Sequence, residues 1–71
     1  MEKIAIHTPY ITLGQLLKLV DLVSGGAETK QFVATHRIDV DGESENRRGR
    51  KLYPGHKIEI DGRFYLIEKK E

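Results

Sequence analysis

The sequence predicts a small α+β domain. Three observations carry that expectation. A capping box opens a stretch of helical apolar rhythm near the N-terminus, and a Gly-Gly break precedes a second helical stretch. In the C-terminal half, alternating apolar residues gather around two Asp-Gly turns.

Taken in order, Lys3-Ile-Ala-Ile-His7 alternates weakly and reads as a short strand, an edge strand by its brevity, stopped by Thr8-Pro9. Thr12-Leu-Gly-Gln15 fits a capping box: the Thr12 hydroxyl can accept from the Gln15 amide while the Gln15 side chain reaches back. Ile11 and Leu16 are spaced for a hydrophobic staple. Leu13, Leu16, Leu17, Val20 and Val23 follow the i, i+3, i+4, i+7 rhythm, with Leu19 and Leu22 widening the face, so a helix is expected from about Leu13 to Val23. Gly14 is unfavourable inside it, at modest cost in the first turn. Ser24-Gly25-Gly26 ends this helix. A second is expected from Ala27 to about Thr35, with Phe32 and Val33 inward and packed on the first. Ile38 and Val40 alternate with polar residues before the Asp41-Gly42 turn. The stretch from Glu43 to Lys51 has no apolar residue and reads as a solvated loop. Leu52-Tyr53 returns to the core and Pro54-Gly55 turns the chain. Lys57-Ile-Glu-Ile-Asp61 and Arg63-Phe-Tyr-Leu-Ile-Glu68 then read as a hairpin about Asp61-Gly62, with a frayed tail from Lys69 to Glu71.

At 71 residues the chain is expected to form one domain, 1–71, with a thin stability margin, because so short a chain buries only about 60% of its unfolded surface. Its 38% hydrophobic residues and seven Gly are enough for a core. With no Cys, disulfides and thiolate metal sites are excluded. No run approaches the roughly 18 apolar residues of a membrane span, and the N-terminus does not read as a signal peptide, so a cytoplasmic location is expected. A core this small leaves little room for the roughly 300–1,000 Å³ pocket of a small-molecule enzyme.

Net charge is only +1, but it is unevenly spread. Residues 46–57 carry Arg47, Arg48, Arg50, Lys51 and Lys57, with His56 among them and no acid. Screening cuts interactions off within about 10 Å, so this local field outweighs the near-neutral total in attracting a polyanion. Within it, Asn46-Arg-Arg-Gly-Arg-Lys51 has a Gly through which backbone can approach a ligand. The start of the second helix offers a complementary feature. Gly25 and Gly26 bring no side chains to a helix end whose free amides and dipole suit phosphate, and Lys30 adds a charge one turn in. Taken separately, a basic run is often only a solvated face, and a Gly-Gly step is more often a tight inter-helix turn.

The order of these parts resembles the small RNA-binding domain first described in ribosomal protein S-four. Leu13, Leu16 and Leu17 carry the likeness in the first helix, and Glu28, Lys30, Phe32 and Val33 in the second. Ile38, Val40, Gly42, Pro54, Gly55, Ile58 and Ile60 carry it in the strands. It spans roughly residues 11–61, with the N-terminal strand and the last hairpin strand expected to complete the sheet. The Gly-Gly step and Asn46-Arg-Arg-Gly-Arg-Lys-Leu52 are similar to the stand-alone bacterial RNA-binding members of the YaaA/YbcJ-like type. The resemblance implies an alpha-L motif, two packed helices on a small, mostly antiparallel sheet, binding structured RNA by its backbone. It implies a surface made of the second helix start and the basic loop. Thr12 stands where many members have Arg, Gly25-Gly26 where many have Ser-Arg, and Asp41 where many have Asn. Two charges common on that face are thus absent, and the basic loop is the candidate to replace them.

The expectation is therefore a non-enzymatic monomer that binds ribosomal or transfer RNA without a cofactor, in ribosome assembly or a ribosome-associated process. Its expected contacts are Gly25, Gly26, Lys30, Arg47, Arg48, Arg50, Lys51 and His56. The competing classes are an adaptor whose basic loop docks an acidic protein, and a DNA-associated factor. No helix carries the Arg, Asn and Gln face of a major-groove reader. His7, His36 and His56 are too scattered for a metal site. His36 is expected to cap the second helix. Asp39 and Asp41 share a strand face without a nucleophile beside them. Tyr10, Tyr53 and Tyr65 read as core-edge residues, Tyr53 being the best candidate to stack on a base.

Overall fold

The computed structural model describes residues 1–71 as two helices and seven strands. In order these are β1 (Glu2–Ile6), β2 (Ile11–Thr12), α1 (Leu13–Leu19), α2 (Gly26–Thr35), β3 (Ile38–Val40), β4 (Glu43–Ser44), β5 (Lys51–Leu52), β6 (Lys57–Ile60) and β7 (Arg63–Lys69). The main sheet has the order β1-β7-β6-β3-β4, and β2 pairs with β5 in a separate two-stranded ladder. All pairings are antiparallel except β1 with β7, which run parallel from Glu2 opposite Tyr65 to Ile6 opposite Lys69. The strand expected at the N-terminus is thus an edge strand, beside the last strand of the chain. The two helices and the mostly antiparallel sheet make the α+β fold expected of the sequence. No helix is long and apolar enough to cross a membrane.

Both Asp-Gly turns are hairpins, β3–β4 and β6–β7. Asp41 and Gly42 have φ of 50° and 85°, and Asp61 and Gly62 have 50° and 87°. Positive φ at both central residues gives the turn twist that matches the flanking strands.

Helix α1 starts where its sequence says it should. The Gln15 amide donates to Thr12 Oγ1 (3.2 Å) and the Thr12 amide to Gln15 Oε1 (2.8 Å). It ends four residues before the expected Val23, because Asp21 adopts φ of 60°. The Asp21 amide then donates to the Lys18 carbonyl (3.1 Å) and the Leu22 amide to that of Leu17 (3.0 Å). This is a Schellman closure, with Asp in the left-handed position usually given to Gly. The early stop leaves Leu19 exposed, yet the reversed chain still delivers Val23 to the core.

Fourteen apolar side chains form one buried cluster. Leu13, Leu16 and Leu17 of α1 have no exposed surface and pack with Ile58, Ile60 and Ile67 of the sheet. His36 is the C-cap of α2, as expected, but its ring serves another partner. It stacks on Phe32 at 3.7 Å and its Nδ1 meets Asp61 Oδ2 at 2.5 Å, which holds the Asp61 carboxyl below its ordinary value.

The stretch from Glu43 to Lys51 departs from the solvated loop expected of it. Its ends pair as β4 and β5, and in its middle Glu45 is buried. A run without apolar residues can still be anchored when one of its charges is taken inside and compensated.

Candidate nucleic-acid interface

The basic loop is docked against the start of α1 by backbone hydrogen bonds. The Leu13 amide donates to the Arg50 carbonyl and the Gly14 amide to the Arg48 carbonyl, both at 2.8 Å. These amides lie in the first turn of α1 and have no partner within the helix, so the loop satisfies donors the fold would otherwise leave free. The approach depends on Gly14. A Cβ there would lie 3.2 Å from Thr29 Cγ2 and 3.4 Å from the Arg48 carbonyl oxygen. Thr29 is buried and its hydroxyl donates to the Gly25 carbonyl (2.8 Å), which fixes the start of α2 at the same crossing. Arg48 Nη1 then donates to the Gly26 carbonyl at 3.2 Å. The two features that the sequence set far apart, the basic loop and the second helix start, therefore touch. Thr12, Gln15, Lys18, Gly26, Arg48 and Gly49 line a shallow groove over this junction.

Glu45 sets the path of the loop. Its side chain is 5% exposed and accepts from the Asn46 amide (3.1 Å), the Arg47 amide (3.0 Å), Arg47 Nε (2.9 Å), Arg47 Nη2 (3.1 Å) and Arg50 Nη1 (2.8 Å). The hydrogen bonds from Arg47 foremost, with those from Arg50, outweigh burial and pull the carboxyl down to about 2. Arg47 keeps Nη1 without a protein partner, and most of its side chain is exposed. Both arginines can therefore face an anion while held in place by an internal one.

On the other side of the loop lies a second, wider hollow of about 550 Å³, open to solvent and lined by Arg47, Gly49, Arg50, Lys51, Tyr53 and His56. The His56 ring is half-buried. Its Nδ1 accepts from the Tyr53 amide (3.2 Å) and its Nε2 lies 3.8 Å from Asp41 Oδ2. Neither hollow is lined by an acidic residue.

Of the residues expected from the sequence, Gly26 and Arg48 meet directly, while Arg47, Arg50, Lys51 and His56 surround the wider hollow. Gly25 is the N-cap of α2 and no side chain caps that helix. A Cβ at Gly25 or Gly26 would meet nothing within 4 Å, and neither has positive φ, so the backbone itself does not demand glycine at either position. Lys30 is exposed one turn beyond Gly26 and lines neither hollow. Sequence reasoning missed Lys18, Gly14 and Glu45. For Gly14 a signal existed, since glycine inside a helical pattern often marks a close backbone approach. For Glu45 it was the acid two and five residues before Arg47 and Arg50.

The profile of the S4 domain matches residues 4–68, beyond both ends of the 11–61 span the resemblance covered. A protein of Bacillus subtilis (strain 168) described as a probable ribosome maturation protein RlbA is 51% identical over 59 residues, covering 83% of each chain.

Proposed function

Because the chain belongs to the S4 domain family, we propose that it binds structured ribosomal RNA through the phosphate backbone and acts in ribosome maturation. The observation that carries this reading is the junction of the basic loop with the two helix starts. It gathers Lys18, Arg47, Arg48, Arg50 and Lys51 around two open hollows with no acid in either. Guanidinium forks suit phosphate oxygens, and the open surface at Gly26 and Gly49 lets a backbone come close to amides. Such contacts position a protein on RNA by shape and carry no base code. The similarity to a probable ribosome maturation protein supports ribosomal RNA as the target.

The test is affinity for a structured ribosomal RNA fragment at fixed salt. Lys18→Ala with Arg48→Ala is expected to weaken binding at least about tenfold, or roughly 1.4 kcal/mol, with the melting temperature within a few degrees of the parent. Unchanged affinity would remove the groove from the interface. Partner capture that survives RNase would replace RNA with an acidic protein.

A further inference from the structure

The tyrosines that face each other at one end of the β2–β5 ladder form an exposed pair, contrary to the core-edge place expected of them. Ile11 pairs with Leu52 and Thr12 with Lys51, so the same register sets Tyr10 opposite Tyr53. Strand alternation sends Ile11 and Leu52 inward, where both are buried. It sends Tyr10, Tyr53, Thr12 and Lys51 to the other side. Tyr10 is 36% exposed and Tyr53 44%, their ring centroids 5.5 Å apart, whereas Tyr65 is buried in the main sheet. Lys51 Nζ sits 5.1 Å from the centre of the Tyr10 ring, and the His56 ring meets Tyr53 edge-on at 6.0 Å. Tyr53 also lines the wider basic hollow, beside Arg47, Arg50 and Lys51.

We infer that Tyr53 is a stacking platform for one unpaired base of the bound RNA, with Tyr10 as the residue that positions it. The inference rests on the proposed RNA binding and adds to it a choice among RNA structures. Lys51 already covers a face of Tyr10, which leaves Tyr53 as the more available ring. A base on Tyr53 would have its neighbouring phosphates within the hollow lined by Arg47 and Arg50. Aromatic rings beside a cationic groove hold single-stranded nucleotides because every base offers a π face. A base inside a duplex has both faces stacked, so only a bulge, loop or end can use the site. The tyrosine hydroxyl has no part in this, so the aromatic ring alone should suffice.

The experiment compares two RNA hairpins at one salt concentration, one fully paired and one identical except for a single unpaired adenosine in its stem. The protein is expected to bind the bulged hairpin at least about fivefold more tightly. Tyr53→Leu, which keeps apolar bulk without a ring, should abolish that preference, so that the bulged and the paired hairpin bind equally well. Tyr53→Phe should keep it. Thermal melting of each variant establishes that it is folded. A preference that survives Tyr53→Leu overturns the platform. Equal binding of both hairpins by the unaltered protein also overturns it while leaving the phosphate interface standing, and failure to bind either hairpin overturns both.

Discussion

At the scale of single residues, Glu45 changes what the arginines around it are for. Viewed as sequence, Arg47, Arg48 and Arg50 look alike, and removing all three should leave the fold untouched. In the structure Arg47 and Arg50 neutralise a buried carboxylate, while Arg48 makes one exposed hydrogen bond to Gly26. Breaking a buried pair from one side strands the other charge. Arg47→Ala with Arg50→Ala is therefore expected to lower the denaturation midpoint clearly, and Arg48→Ala to leave it nearly unchanged, in denaturant titrations at neutral pH. The same carboxylate gives an acid dependence. Its value in the folded protein, about 2, lies below the ordinary 4.5. Its contribution is thus complete above about pH 5 and is lost as pH falls toward 2, because the unfolded chain takes up the proton first. Glu45→Gln should flatten stability over that window while lowering it at pH 7.

Among the elements, the start of α2 offers a test in which stability and binding move in opposite directions. Gly26 is the first residue of the helix and has open space around its Cα. Glutamate there gains helix propensity and favours the dipole, so Gly26→Glu should hold or raise the melting temperature. It should also weaken RNA binding several-fold by placing an anion where a phosphate would approach. A parallel loss of both would make the Gly-Gly step purely structural. Elements governed by local chemistry were legible in the sequence. Thr12 and Gln15 announced the start of α1, and the two Asp-Gly pairs announced their hairpins. The end of α1 was not legible, because the apolar rhythm runs on through Val20 and Val23 while Asp21 reverses the backbone in a role where glycine is the usual signal. The partner of β1 was not legible either, since nothing within Glu2–Ile6 specifies a strand so far along the chain. The candidate site divides the same way. The basic residues stood out by charge, but their tether at Glu45 and the crossing at Gly14 depend on contacts between distant segments.

For the molecule as a whole, the expectation concerns salt. Arg47 and Arg50 share one internal carboxylate, so the four loop cations act as about three charges, to which Lys18 adds one. With about 0.7–0.9 counterions released per phosphate contacted, log K for RNA should fall against log salt with a slope of roughly −2 to −4. Tight binding with a slope near zero would contradict the phosphate interface. The parallel ladder between β1 and β7 has a consequence in time as well as in space. It joins Glu2 to Tyr65, nearly the full length of the chain, whereas the β6–β7 hairpin closes across two residues. Loop-closure entropy makes the distant pairing the slower one to nucleate. During synthesis β1 emerges before β7 and must wait for it, so the sheet is completed only once β7 has been made. As an edge strand β1 is also expected to detach more readily than the central strands of the folded protein. Amide exchange should be faster in Glu2–Ile6 than in the central strand β6, and that difference would mark β1 as the last strand to join.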